Sequence, residues 1–330
     1  MKLIVQIPCL DEEATLPATV RDIPRRIPGI DSVEILVIDD GSTDATATVA
    51  RAIGVDHVLS FSRNRGLGYA MRAGFDASLA LGADIVVNTD GDNQYYGGDV
   101  AALVAPILEG RADIVIGDRQ PHTIAHWSPL KRRLQLVGSR VVSRLAGIPV
   151  PDVASGFRAY SAEALLVLFT QAGFDHTVEH TIQAGHKRLA VVSVPIRTNP
   201  KARESRLFGS VWEFVGRSAA ISLRTWAMYT ALPAFSAFGA VALSLGVLLG
   251  LRFLYFFLFT DQGDLHVQSV VLSAIFLLTG FQMFLTGIVA DLIATNRALI
   301  EDTLKRVRRM ELGAAGEHPP REQGGPLRRG

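Results

Sequence analysis

Two apolar runs near the carboxyl end carry no charge: Pro233 to Leu251, 19 residues, and Val267 to Ala290, 24 residues. As a helix rising 1.5 Å per residue, even the shorter run reaches about 28 Å, roughly the hydrocarbon thickness of a bilayer. A buried helix of a water-soluble protein is the competing account, and two such runs joined by a short loop make it a poor one. The loop holds Asp261 and Asp264 and no Lys or Arg. The outer flanks hold Arg203, Arg206, Arg217 and Arg224 on one side and Arg297, Lys305, Arg306, Arg308 and Arg309 on the other. The positive-inside rule then predicts a two-helix transmembrane hairpin within 230–296, its spans at about 233–259 and 267–290, with both termini cytoplasmic. Arg252 can snorkel, and FLYFFLF beside it suits an interfacial aromatic belt.

The expectation is an integral protein of the plasma or inner membrane. Upstream, SRLFGSVWEFVGRSAAISLRTWAMY (205–229) sets Leu207, Val211, Phe214, Val215 and Ser218 at helical spacing, punctuated by three arginines. It reads as an amphipathic helix lying in the membrane surface. Residues 297–330 form a basic tail, Gly-, Pro- and charge-rich after Met310 and expected to be partly disordered.

Residues 1–204 have a different character. Short β-branched runs (Leu3–Ile7, Glu34–Ile38, His57–Ser60, Asp84–Asn88, Asp113–Ile116, Ala190–Val194) alternate with Ala-rich helical patterns that close on Gly. Such alternation predicts an α/β domain with a mostly parallel sheet covered by helices, and ligands at the carboxyl ends of its strands. The clusters DEE (11–13), DDGSTD (39–44) and DGDNQ (90–94) all follow strand ends and should gather on one edge. A net charge of +1 provides no global basic field for nucleic acid, and the single cysteine, Cys9, excludes internal disulfides and Cys-based zinc sites. MKLIVQIP reads as a first strand rather than a secretory leader.

Asp90 and Asp92 pose the chemical question. Two carboxylates one residue apart repel unless a cation lies between them, and strand alternation would put both on one side. A plain Asp/Gly/Asn turn is one reading. An EF-hand loop is excluded, because the sixth and twelfth positions counted from Asp90 are Tyr95 and Ala101. A divalent ion held by one or two carboxylates, its shell completed by water and a ligand's phosphates, is the other.

IPCLDEE, VIDDGSTDAT, RNRGLGYAMRAGF, NTDGDNQY, VIGDR and DVASGFRAYS, in that order, resemble the inverting family 2 glycosyltransferases of GT-A fold. More narrowly, the chain resembles the dolichyl- or polyprenyl-phosphate mannose and glucose synthases, a likeness that KARESRL before the hairpin extends. The resemblance implies a nucleotide-sugar donor (GDP-mannose or UDP-glucose), a polyprenyl-phosphate acceptor and Mg²⁺ or Mn²⁺. Asp90 and Asp92 match the family's DxD, with Gln94 close to the metal; Gly91 stands where Ala is usual, a lost methyl expected to matter little. Asp40 matches the carboxylate that contacts the nucleoside. Pro8, Glu12 and Glu13 match the loop lining base and ribose, Asp11 replaces a more usual Asn there, and Gly66 joins the donor-binding set. Arg119 matches a phosphate-contacting arginine, Arg133, Ser139 and Arg206 fall where the acceptor phosphate gathers, and Glu179 lies where a catalytic carboxylate is common.

A lipid-phosphate acceptor is already an anion and needs no strong base, whereas two phosphate-bearing substrates need arginines between them. Lys131, Arg132, Arg133, Arg140 and Arg144 supply a basic stretch that reads equally as a headgroup-facing surface. If the acceptor is instead a lipid or glycan hydroxyl, a base is required, and Glu179 and Asp152 are the candidates. His176 and His180, four apart, lack a third ligand for zinc and read as ordinary helix residues. RNRGLG does not complete a dinucleotide fingerprint. The sequence is compatible with an oligomer.

Overall fold

The structure, a computed structural model, describes residues 1–121, 129–170, 176–200, 211–259 and 267–317, with side chains throughout except at 129–131, 211–215, 217–231 and 312–317. It divides into two compact units, Met1–Ser222 with the segment from Leu304 onward, and Leu223–Thr303.

The first unit begins with β1 (Lys2–Cys9), a strand buried on both faces, as the run LIVQI requires. Leu3, Val5 and Ile7 face one core and Ile4 the other, each contributing about 1.5–3 kcal/mol by leaving water. There follow α1 (Leu16–Asp22), β2 (Ser32–Asp39), α2 (Thr46–Ala52), β3 (His57–Ser60), α3 (Leu67–Ala80), β4 (Ile85–Asn88) and α4 (Val100–Leu108). Then come β5 (Ile114–Asp118), α5 (Pro129–Ala146), β6 (Arg158–Ser161), α6 (Ala162–Val167), α7 (His176–His186) and β7 (Val191–Pro195). The sheet order is β3-β2-β1-β4-β6-β5-β7. All pairings are parallel except those of β6, which runs antiparallel to both β4 and β5. Helices α1, α2 and α4 cover one face, and α3, α5, α6 and α7 the other.

The mostly parallel α/β sheet expected from the sequence is therefore present, with strand ends moved by a residue or two. β6 was missing from that expectation: RAYS has only four residues and opens on an arginine, so no apolar run announces it. Arg158 is nonetheless fully buried. Its guanidinium donates to the carbonyls of Ser155 (2.8 Å) and Thr177 (3.0 Å), joining the loop before β6 to α7.

Helix α3 closes onto the sheet through Gly74. A Cβ there would lie 2.6 Å from Gln6 Oε1 and 2.8 Å from Ile38 Cδ1. Gln6, fully buried on β1, donates to Asn88 Oδ1 at 3.2 Å, and Asn88 donates to the Gly156 carbonyl at 2.8 Å. A polar thread thus crosses the middle of the sheet toward its functional edge.

The second unit is a helical hairpin built from the 223–259 part of α8 (Val211–Phe259) and the 267–303 part of α9 (Val267–Glu317). Within it, Gly239 meets Gly280, Gly246 meets Leu277, Gly250 meets Ser273 and Gly287 meets Phe235, so the helices run antiparallel. Small residues bring the backbones close enough for Ser273 Oγ to donate to the Gly246 carbonyl at 2.7 Å. Leu232–Phe259 and Val267–Glu311 are long and apolar enough to cross a membrane. Their side chains are mostly exposed, as at Phe238, Leu248, Leu278 and Leu292, unlike those of a helix buried in a soluble core. Helix α9 continues past Met310 to Glu317. Residues 318–330 and 205–210 lie outside the described residues.

Candidate active site

Chain order reverses about β1: β2 and β3 lie to one side and β4 to the other. Such a switch point opens a crevice beyond the carboxyl ends of the strands, where ligands of α/β sheets sit. DEE leaves β1 there, DDGSTD leaves β2 and DGDNQ leaves β4. Pro8 is buried near the end of β1. The first two loops interlock: Asp11 N–H donates to Ser42 Oγ (3.0 Å), and Thr43 N–H to Asp11 Oδ1 (2.8 Å). Glu12 N–H donates to Thr46 Oγ1 (2.8 Å), and Ala45 N–H to Glu13 Oε2 (2.8 Å). Asp11 takes φ 53°, a region Asp and Asn tolerate best among residues with a side chain. Its carboxylate is therefore engaged by the neighbouring loop. Asp40, buried, accepts N–H groups from Arg65 (2.8 Å) and Gly66 (2.9 Å), fastening the start of α3.

The DGDNQ segment differs from its sequence reading in two respects. β4 ends at Asn88, so Asp90 and Asp92 belong to a turn and strand alternation does not orient them. The turn does: Asn93 takes φ 57°, and Gln94 N–H donates to Asp92 Oδ1 at 3.0 Å. Gln94 O and Asn93 O accept from Asn199 N–H (2.8 Å) and Asn199 Nδ2 (3.1 Å), pinning the turn to the segment after β7. Gly91 also differs. A Cβ at 91 would lie 2.9 Å from Cys9 Sγ, so the missing methyl matters here.

Carboxylates concentrate at this edge. Burial raises the Cys9 thiol's pKa, and the charges of Asp39, Asp90 and Asp44 push it further the same way. Two hard oxygen donors at Asp90 and Asp92, in a field of negative charge, fit Mg²⁺ or Mn²⁺. Among the described residues no group of three or more His, Cys, Asp or Glu forms a complete cage, so an ion here would take the rest of its shell from water and a ligand.

Arg119, at the end of β5, closes on buried Asp152 through Nε to Oδ2 (2.6 Å) and Nη2 to Oδ1 (2.8 Å), and Gln135 Nε2 adds a third bond at 3.0 Å. Burial opposes the Arg119 charge, but Tyr95, Asp152 and Asp90 outweigh it and raise its pKa. Tyr95 and Gly156 were not among the residues singled out from sequence. Tyr95 OH accepts the Gly156 N–H at 2.9 Å, and its ring stacks on Phe157. Burial, opposed by Arg119 and reinforced by Asp90, pushes the Tyr95 phenol up to about 12, so it stays protonated. Gly156 lets the Asp90 carboxylate approach: a Cβ there would lie 3.2 Å from Oδ1. Their only sequence signal was membership of the motifs NTDGDNQY and DVASGFRAYS.

The remaining candidates are dispersed. Ser139 on α5 is buried, its Oγ accepting the Val153 N–H at 3.2 Å beside Asp152. Arg133 is exposed on the same helix, and Arg206 lies outside the described residues. Glu179 is buried on α7, the helix that Arg158 ties to the Asp152–Gly156 loop. His176 and His180 are buried with rings 5.7 Å apart. Burial, with help from Arg158, pushes His180 down to about 3, and His176 is lowered by burial, His180 and Arg158.

Comparison with known proteins agrees with this architecture. The chain is 31% identical over 222 residues to the polyprenol monophosphomannose synthase of Mycolicibacterium smegmatis, covering 63% of this chain and 82% of that one. It is 28% identical to the undecaprenyl-phosphate mannosyltransferase of Micrococcus luteus, covering 69% and 95%. Glucosyl-3-phosphoglycerate synthase from Mycobacterium tuberculosis, crystallised with Mn²⁺, UDP-glucose and phosphoglyceric acid, superposes with a TM-score of 0.53 at 27% identity, over 68% of this chain and 80% of that one. The sheet is of the GT-A type. The family model for glycosyl transferase family 2 matches residues 4–169, and with the switch-point crevice and its carboxylate loops in place, the chain belongs to that family of glycosyltransferases.

Proposed function

We propose that this protein transfers a hexose from a nucleotide-diphosphate sugar, GDP-mannose or UDP-glucose, to a polyprenyl phosphate at the cytoplasmic membrane face, with inversion at the anomeric carbon. The observation that carries the reading is the convergence of the three acidic loops at the β1/β4 switch point, in a chain that also holds two membrane-length helices. The names of the mannosyl relatives support the acceptor class. A relative from Methanococcus voltae named as a UDP-N-acetylglucosamine–dolichyl-phosphate transferase supports the same acceptor with another donor.

In this reading Asp90 and Asp92 hold a divalent ion, with Gln94 alongside, and the bound ion would act as a Lewis acid toward the leaving diphosphate. The DEE and DDGSTD loops, with Asp40 and Gly66, shape the nucleoside pocket. Arg119, held in place by Asp152, faces the phosphates. The lipid phosphate attacks as an anion, steered by Arg133 and Arg206, while Ser139 keeps the Asp152 loop in register. The 233–259 part of α8 and the 267–290 part of α9 cross the membrane, and both termini stay cytoplasmic.

The test is a donor panel on detergent-purified protein: GDP-mannose, UDP-glucose, UDP-galactose and UDP-GlcNAc, each with polyprenyl phosphate and Mn²⁺ or Mg²⁺. Mass spectrometry of the extracted lipid reads the product. One metal-dependent hexosyl phospholipid, lost in Asp92→Asn, is the expected result. Slow, Asp92-dependent donor hydrolysis without a lipid product would replace the acceptor with a hydroxyl, and abolition of turnover by Glu179→Gln would then name Glu179 as its base.

A further inference from the structure

Gly91 lies between the two carboxylates of the turn, and its φ is outside the left-handed region, so backbone conformation does not demand glycine there. Space does. A Cβ at 91 would stand 2.9 Å from Cys9 Sγ, 3.3 Å from Glu12 Cγ and 3.4 Å from the Pro8 carbonyl oxygen. Only the first of these is closer than side-chain carbons ever come, and the sulfur has little room to retreat. Cys9 is 3% exposed, ends β1, and its thiol donates to the Ile7 carbonyl at 3.5 Å. The same turn is held by Thr19 Oγ1, which donates to the Gly91 carbonyl at 3.2 Å, and Gly156 leaves room beside it for the Asp90 carboxylate.

We propose that Cys9 is a positioning residue for the Asp90–Asp92 pair: its sulfur fills the space a side chain at 91 would need, and so sets where the turn rests on the end of β1. Residues 9 and 91 then form one steric unit, in which enlarging either member displaces the carboxylates. The inference rests on the metal reading of Asp90 and Asp92 given above.

The test is Mn²⁺ binding by the full chain in detergent, with GDP or UDP present, read from the electron paramagnetic resonance signal of free Mn²⁺. Gly91→Ala is expected to weaken binding about tenfold, and Cys9→Ala/Gly91→Ala to return it to within about twofold of the parent, a coupling of the size found between touching residues. Cys9→Val presses on the same glycine from below and is expected to weaken Mn²⁺ as well, which keeps the test open should Gly91→Ala fold poorly. Gly91→Ala binding as the parent does, or the double variant binding no better than Gly91→Ala, would overturn the proposal while leaving the metal site intact. If the parent shows no Mn²⁺ binding that Asp92→Asn removes, the metal reading fails and this proposal fails with it.

Discussion

Arg119 and Asp152 meet in a two-point ion pair, 2.6 and 2.8 Å, with the arginine side chain 10% exposed and the aspartate fully buried. Breaking one side of such a pair leaves an uncompensated buried charge, at a cost of about 3–5 kcal/mol. Asp152→Ala is therefore expected to lower the melting temperature of the purified protein sharply, with activity lost as a consequence. A variant that melts like the parent yet is inactive would instead give Asp152 a direct role in turnover, as the group that aims Arg119 or as the base for a hydroxyl acceptor.

Gly156 leaves room for the Asp90 carboxylate as Gly91 leaves room for Cys9. Gly156→Ala places a methyl about 3.2 Å from Asp90 Oδ1, so the carboxylate must rotate or shift. The expected outcome is weaker Mn²⁺ binding, of the order of threefold to tenfold for a shift worth about 1 kcal/mol. Titration of the metal against parent and variant checks it, and unchanged affinity would show that the carboxylate has slack.

Gly74→Ala separates helix propensity from packing. Alanine is favoured over glycine in a helix by about 1 kcal/mol, yet here its methyl would press on Gln6 and Ile38 in the sheet. Overpacking of this kind costs about 1–3 kcal/mol. A net loss of stability in thermal unfolding is expected, and a gain would mean that α3 is free to move outward.

Acid should destabilise this domain before its carboxylates titrate. His176 and His180 have pKa values lowered in the folded state, His180 to about 3. The unfolded chain therefore binds protons that the folded one refuses as pH falls below about 6.5, so stability is full above that value and drains away beneath it. At pH 5.5 each such histidine accounts for roughly 1 kcal/mol. Melting temperature measured from pH 7 to 5.5 should fall, and His180→Gln, which can still hydrogen-bond Thr170 Oγ1 and Tyr160 OH, should flatten the slope.

Asp40 is expected to act chiefly through the backbone. Its two bonds to Arg65 and Gly66 N–H groups anchor the entry to α3, and charge-assisted bonds of this kind contribute about 1.5–3 kcal/mol each. Asp40→Ala should lower stability and speed proteolysis between residues 63 and 66. Wild-type proteolytic resistance with weakened nucleotide binding would assign the carboxylate to the ligand instead.

Sequence alone determined what depends on pattern and local chemistry. Uncharged runs of 19 and 24 residues mark two helices long and apolar enough to cross a membrane. β-branched runs ending in acidic loops dictate a mostly parallel sheet with a polar edge, and the order of the motifs identifies the family. Tertiary structure alone decided whatever depends on residues distant in the chain. β6 was invisible because its arginine is paid for by carbonyls of Ser155 and Thr177 that fold around it. Asp90 and Asp92 are aimed by a turn tied to Asn199 rather than by a strand's pleat. Tyr95 and Gly156 enter the site through bonds across 61 residues of chain. Gly91 looked like a harmless lost methyl until the fold set Cys9, 82 positions away by number, where a Cβ at 91 would have to go. Periodicity and composition are local properties that survive in a one-dimensional string, whereas steric fit and hydrogen-bond partnership exist only once distant segments occupy the same few ångströms.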